Sequence, residues 1–193
     1  RRADLPERSQ QALDLITNQT KRFHQMVLDL LEISRLDAGV ADLHLEPVQL
    51  DQFVKRVAVH YGFSIPVVTE TTWQQRMVTI DRRRLERALA NLLGNAENYA
   101  DGPVRITLDG GRSPGGRQVV RVAVEDAGPG IPNNEKARIF ERFARGATAR
   151  HRSGTGLGLA LVHDYVHLQG GRVWVEDRAA GPGARFVIEL PAE

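Results

Sequence analysis

An α+β fold, with several helices covering one face of a mostly antiparallel sheet, is predicted by three features of this 193-residue sequence. Helical and strand-like segments are mixed without regular βαβ alternation. The strand-like runs of the second half are short, and a turn rich in Gly, Ser and Pro joins the first two. The chain opens, by contrast, on one long helical pattern with its own hydrophobic seam.

That opening helix is expected from Asp4 to about Asp37, with Asp4 as cap, Pro6 in the first turn and Gly39 just past the end. Leu13, Ile16, Thr20, Phe23, Val27 and Leu30 recur at alternating steps of three and four, the seam of a coiled coil or helical bundle. One helix cannot bury such a seam against itself, so it needs a partner, from this chain or from another copy. An extended piece from Leu43 to Val48 leads to an amphipathic helix from about Leu50 to Gly62, then to strand-like runs at Val67–Thr71 and Met77–Ile80. Asp81 caps a helix running to about Ala100, whose Leu85, Ala88, Leu89, Leu92, Leu93 and Ala96 form one apolar face. Strands follow at Val104–Leu108 and Val119–Asp126. A loop-rich stretch from Gly128 to Gly156 holds one short helix near Glu135–Phe140. A helix from about Leu157 to Leu168 and strands at Arg172–Glu176 and Arg185–Leu190 close the chain.

Composition narrows the function. An apolar share of 41% and a charged share of 26% describe a globular chain, not a disordered or fibrous one. No apolar run reaches the ~18 residues of a membrane span, and the start RRADLPERSQ lacks the core of a signal peptide, so no direct membrane contact is expected of this portion. With no cysteine, disulfide frameworks, thiol catalysis and cysteine-based metal sites are excluded. A formal charge of +2 from 26 basic and 24 acidic residues gives no bulk attraction for nucleic acid, and none is expected as a partner. Lys21, Lys55 and Lys136 are the only lysines. None follows a glycine-rich loop, which removes the GxxxxGK[ST] phosphate cradle.

Three features can carry chemistry. Asn91, Asn95 and Asn98, at steps of four and three, place three carboxamides on one helix face away from the leucines. Asparagine is a mediocre helix former, so a solvated polar face is one reading. The other is a Mg²⁺ site, because amide oxygens are hard, neutral donors and a triphosphate brings the negative charge the ion needs. In QVVRVAVEDAG, Val120, Val122, Val124 and Asp126 share one face by the period of two, while Arg121, Ala123 and Glu125 share the other. The Asp126 carboxylate is thus directed to the apolar side and needs a donor; a bound base with an exocyclic amine is one candidate, and capping of the next turn is the alternative. Gly128 and Gly130 then allow a ligand close to the backbone. Finally, GTGLGL from Gly154 to Leu159 opens a helix whose free N–H groups can face an anion. It is not the dinucleotide fingerprint, since no strand leads into it and Leu159 stands where the third glycine belongs. Arg142, Arg145, Arg150, His151 and Arg152 lie just upstream, a basic stretch suited either to a solvated loop or to a lid over a polyphosphate.

The order of these features resembles the ATP-binding catalytic domain of sensor histidine kinases, within the ATPase superfamily shared with gyrase, Hsp90 and mismatch-repair proteins. NLLGNAENYA resembles the N box, DAGPGI the G1 box, IFERFARG the F box and GTGLGLALV the G2 box, while LLEISRLDAG is similar to the end of the second helix of the dimerisation and phosphotransfer hairpin. The resemblance implies a two-layer α/β sandwich, the Bergerat-type ATP-binding fold, at residues 41–193, preceded by one long helix at residues 1–40. It implies ATP and Mg²⁺ as ligands. Asp126 would accept the adenine amino hydrogen bond, with Gly128, Gly130 and Ile131 beside the base and Tyr99 walling the site. Asn95 would be the main Mg²⁺ ligand, and Asn91 and Asn98 would lie near phosphates or ion. Arg142 and Arg145 would belong to the lid, and Gly154, Thr155, Gly156, Leu157, Gly158 and Leu159 would admit the phosphates.

Three positions depart from the family pattern: Asn98, where a basic residue is common; Ser153, where a glycine is common; and Arg185, where a small hydroxyl residue is frequent. Hydrolytic relatives place a glutamate at position 91 as general base, whereas Asn91 cannot take a proton at neutral pH, which favours transfer over hydrolysis. The family's phosphoacceptor motif is absent. His24 lacks its context and reads as a helix-surface residue; His163 and His167, four apart on one helix, could ligate a metal, but without an HExxH pattern they read as packing or surface residues. The chain is therefore expected to be a catalytic fragment, not self-phosphorylating, from the cytoplasmic portion of a membrane-anchored bacterial kinase. Its partners would be a response regulator and, through the hairpin helices, a second copy. A hydrolysing machine and a binding module without turnover are the competing readings.

Overall fold

A computed structural model describes residues 6–144 and 155–192, with the backbone alone for Glu7 and Asn18. The chain divides into two compact units, Arg1–Ala41 and Asp42–Glu193. The first is a single helix, α1 (Glu7–Asp37), which begins after Pro6 without a side-chain cap. The expected Asp4 cap lies outside the described residues. The helix stops where predicted, with Gly39 in the left-handed region at φ +65°. Leu13, Ile16, Phe23, Val27 and Leu30 of its seam are exposed.

The second unit pairs β1 (Leu45–Gln49) antiparallel with β3 (Met77–Asp81) as a small two-stranded sheet. Its main sheet has five strands, from β2 (Val67–Thr69) and β4 (Pro103–Arg112) through β5 (Gln118–Asp126) to β7 (Ala184–Pro191) and β6 (Arg172–Asp177), in that spatial order. All neighbours are antiparallel except β2 and β4, which run parallel. Helices α2 (Leu50–His60), α3 (Arg82–Ala100) and α4 (Gly158–Leu168) cover one face, which makes the two-layer α/β sandwich. Leu85, Leu89, Leu92 and Leu93 of α3 meet Ile106, Leu108, Val120, Val122, Val124 and Ile188 in the core, all buried. Each such side chain contributes about 1.5–3 kcal/mol by leaving water.

Asp81 fixes the start of α3. Its Oδ1 accepts from the Arg84 backbone N–H at 3.1 Å, and its Oδ2 accepts from the His44 N–H and from Arg84 Nε, both at 3.1 Å. The helix that carries the asparagines is thus anchored at its far end. The short helix expected near Glu135–Phe140 is instead a run of turns closing in one 3₁₀ turn, Arg138–Phe140. A segment this short gains too few hydrogen bonds to offset helix nucleation.

Among the described residues no helix covers the other face of the sheet, and charge pairs fill it. Register sets Glu125 opposite both Arg105 and Arg185, Glu189 opposite Arg121 and Arg172, and Glu176 opposite Arg185. Opposite charges directly across neighbouring strands attract. Arg105 binds Glu125 at 2.8 Å, Arg121 binds Glu189 at 2.8 Å, and Arg172 grips both oxygens of Glu189 at 2.6 and 3.2 Å. Asp109 sits at the edge of this array, where desolvation raises its pKa above the ordinary 3.8 despite Arg185 and Arg121 nearby. A raised carboxyl pKa means that the ionised form is disfavoured by folding, so the group's contribution is favourable only in acid and is lost as pH rises through its folded value. Asp109→Asn is accordingly expected to melt no lower than wild type at pH 7, with the difference vanishing near pH 3; a clear drop at pH 7 would contradict this.

Candidate functional site

Asp126 ends β5 on its core-facing side, as the period of two requires, and is 7% exposed. Its Oδ1 accepts two backbone N–H groups, from Gly128 at 2.9 Å and from Ala184 at 3.1 Å. The carboxylate therefore does cap the following turn. Yet Oδ2 has no hydrogen-bond partner among the described residues and is not enclosed by protein. Two roles are thus divided between two oxygens, one structural and one open to a ligand.

The turn that follows is held from two sides. A Cβ on Gly128 would lie 2.7 Å from the Ala100 Cβ at the end of α3, so the turn is pressed onto the asparagine helix. On the other side, Gly183 in the β6–β7 loop has φ +135°, and a Cβ there would meet the Asp126 carbonyl oxygen at 2.0 Å. Gly183→Ala is expected to spread this junction, weakening ligand binding at least tenfold and lowering the melting temperature; unchanged binding in the folded variant would show that the contact is dispensable. Gly130, at φ +74°, lies against the Gly183 carbonyl, and Ile131 follows half-buried.

Across from Asp126, α3 presents Asn91 and Asn95 half-buried and Asn98 exposed, with Tyr99 half-buried on the last turn. The carboxamides of Asn91 and Asn95 have no hydrogen-bond partner among the described residues. Asn91 stands beside the first residue of α4, since a Cβ on Gly158 would lie 3.4 Å from Asn91 Oδ1. Thr155 Oγ1 accepts from the Leu157 N–H at 3.3 Å and shapes the entry to that helix, while Leu157 is buried and Gly158 and Leu159 are half-buried. Gly156, at φ +72°, packs against the Phe143 backbone, and the Phe143 N–H donates to the Gly156 carbonyl at 2.8 Å. Arg142, one residue earlier, pairs with Asp164 of α4 at 3.5 Å. Arg145, Gly154 and the stretch Arg150, His151, Arg152 and Ser153 lie outside the described residues.

The fold thus brings the asparagine face, the Asp126 turn and the glycine-rich start of α4 to one end of the unit. Two residues escaped the sequence reading. Gly183 and Ala184 supply the backbone that holds Asp126, and the signal was the glycine pair in AAGPGARF directly before the last strand. Arg185, read as a departure at this site, points to the opposite face, where it pairs with Glu176 and, at 3.5 Å, with Glu125. Its substitution for a small hydroxyl residue does not reach the site; Ala184 is the residue beside Asp126.

No three His, Cys, Asp or Glu side chains among the described residues are grouped to hold a metal. An ion here would take a neutral amide oxygen from the protein and the rest of its shell from an anionic ligand and water, a division that suits Mg²⁺.

The family described as histidine kinase-, DNA gyrase B- and HSP90-like ATPase matches residues 80–193. The sensor histidine kinase MtrB of Mycobacterium tuberculosis is 37% identical over 199 residues, covering 98% of this chain and 34% of that protein. Full-length ShkA, solved in complex with AMPPNP, superposes with a TM-score of 0.74 at 29% identity over 98% of this chain and 40% of its own. Histidine kinase ThkA, solved in complex with the response regulator protein TrrA, gives a TM-score of 0.71 at 25% identity over 98% of this chain and 53% of its own. The chain spans about a third of the length of MtrB.

Proposed function

We propose, from the premise that this chain belongs to the family of histidine kinase-, DNA gyrase B- and HSP90-like ATPases, that it is the catalytic part of a sensor histidine kinase. It binds Mg-ATP and passes the γ-phosphoryl group to a histidine on a hairpin helix not contained in these 193 residues, for relay to a response-regulator aspartate. The observation that carries this reading is the open Oδ2 of Asp126, held rigidly by the two backbone bonds to Oδ1. Facing this oxygen, the amino group of adenine finds an acceptor, and Gly128, Gly130 and Ile131 leave the base room against the backbone. Tyr99 walls the pocket.

Asn95 offers its carboxamide oxygen to Mg²⁺, with Asn91 and Asn98 toward the phosphates. Gly154, Thr155, Gly156, Leu157, Gly158 and Leu159 bring the N–H groups that open α4 to the phosphate chain. Arg142 and Arg145 add positive charge from the lid side. Held by Asn95, Mg²⁺ would supply neutralisation of the phosphate charge. Asn95→Ala is expected to remove most of the Mg²⁺ dependence of nucleotide affinity while leaving metal-free binding within about threefold, as read by calorimetry; an undiminished Mg²⁺ effect would move the ion elsewhere.

Asn91 separates transfer from hydrolysis, since a carboxamide cannot act as a base for water. With γ-labelled ATP the protein alone is expected to release no steady phosphate and to label none of its own histidines. Adding a hairpin that bears an acceptor histidine should yield acid-labile label on that hairpin. Steady phosphate release without an acceptor would restore the hydrolytic reading, and absence of nucleotide binding would support a module without turnover.

The exposed seam of α1 supports its assignment as the second helix of the dimerisation and phosphotransfer hairpin, covered in the full protein by its sister helix and by a second copy. Residues 1–40 and 41–193 are thus two functional parts. The response regulator in complex with ThkA supports a partner of that class here. No helix among the described residues is long and apolar enough to cross a membrane. The reading places the fragment on the cytoplasmic side of a membrane-anchored bacterial protein, with neither nucleic acid nor lipid as its direct partner.

A further inference from the structure

His163 and His167 are one helical turn apart on α4, both exposed, with ring centroids 5.8 Å apart and planes 10° from parallel. Neither packs in the core, so burial does not account for them. His163 Nδ1 lies 3.1 Å from Asp164 Oδ1, and the other oxygen of Asp164 is 3.5 Å from Arg142. A carboxylate accepting from Nδ1–H selects the tautomer in which Nε2 carries the free lone pair, the arrangement that prepares an imidazole for a metal. The His167 imidazole has no hydrogen-bond partner among the described residues.

We propose that His163 and His167 form a two-imidazole surface site for a borderline transition-metal dication of the Zn²⁺, Ni²⁺ or Cu²⁺ type. Imidazole nitrogens favour these ions over Mg²⁺, whose preference is for oxygen, so this site and the asparagine face would take different metals. Closing both Nε2 atoms on one ion at ~2.0–2.1 Å needs side-chain rotation only, which exposed rings permit. Water or a partner's side chain completes the coordination. Through Asp164 the site also adjoins Arg142, so an ion that draws charge from His163 acts on the Arg142–Asp164 pair. This inference is independent of the ATP-site assignment.

The test is calorimetric titration of the chain with ZnCl₂ in a non-chelating buffer, without nucleotide, for wild type, His163→Ala, His167→Ala and Asp164→Asn, with circular dichroism to confirm folding of each. One saturable site is expected in wild type. Each histidine variant should bind at least tenfold more weakly, and Asp164→Asn several-fold more weakly, because the orienting carboxylate is lost. A copper(II) electron spin resonance spectrum should show two coordinated nitrogens in wild type and one in either histidine variant. Wild-type binding that does not saturate, or an affinity and spectrum that either histidine variant leaves unchanged, would overturn the proposal.

Discussion

Asp126→Asn is expected to weaken binding of a non-hydrolysable ATP analogue by about 100-fold or more while leaving the melting temperature nearly unchanged. The asparagine keeps an oxygen for the Gly128 and Ala184 N–H groups, so the turn persists. Its NH₂ group then stands where Oδ2 stood, and a donor meets the adenine amino donor. The lost charged hydrogen bond and the new unsatisfied pair together account for ~3 kcal/mol, which is the stated factor. Asp126→Ala removes both acceptors. It should lose binding and also ~1–3 kcal/mol of stability for the stranded backbone donors. A variant pair in which both lose stability and neither loses affinity would make Asp126 a structural cap alone.

The second large effect concerns stability. Glu189→Ala is expected to lower the unfolding free energy by about 2–3 kcal/mol at pH 7. That is less than the ~3–5 kcal/mol of a fully buried broken pair, because the side chain of Glu189 is 4% exposed but those of Arg172 and Arg121 are 50% and 28% exposed and can turn to water. Burial by itself would raise the Glu189 pKa, yet hydrogen bonds from Arg172 and Arg121 outweigh it and hold the carboxyl below its ordinary 4.5. A lowered carboxyl pKa contributes stability that is full above the unfolded value and lost as pH falls through the folded one. Wild type should therefore lose this contribution below about pH 4.5, and Glu189→Gln should flatten that part of the acid limb, a comparison read from urea unfolding between pH 3 and 7. An unaltered acid limb would assign the acid sensitivity to other groups.

Much of this arrangement was legible because local rules and the global fold agree. The alternation in VVRVAVED put Asp126 on the core side, and β5 carries it there. Asp81 was readable as a cap because the apolar period of α3 begins directly after it. The charge array on the outer face was not readable. Arg121 and Glu125 look like ordinary solvated positions in a half-buried strand, and only pairing with distant residues, Glu189 68 positions beyond Arg121 and Arg178 53 positions beyond Glu125, buries the acids. The parallel pairing of β2 with β4 was likewise hidden, since three residues carry no directional signal. Gly183 and Ala184 fell outside the motif that drew attention, although the chain returns them to Asp126 across 57 and 58 residues. Contacts of that separation are set by register, and register follows from the whole sheet.

The central claim is that the open oxygen of Asp126 reads the adenine amino group. It is tested most directly by competing the imido analogues of ATP and of inosine triphosphate for the wild-type chain in the presence of Mg²⁺. The two differ where adenine carries an amino donor and hypoxanthine a carbonyl acceptor. The account predicts that the adenine nucleotide binds at least 100-fold more tightly, and that Asp126→Asn narrows or reverses the preference. Equal affinities in the wild type would contradict it.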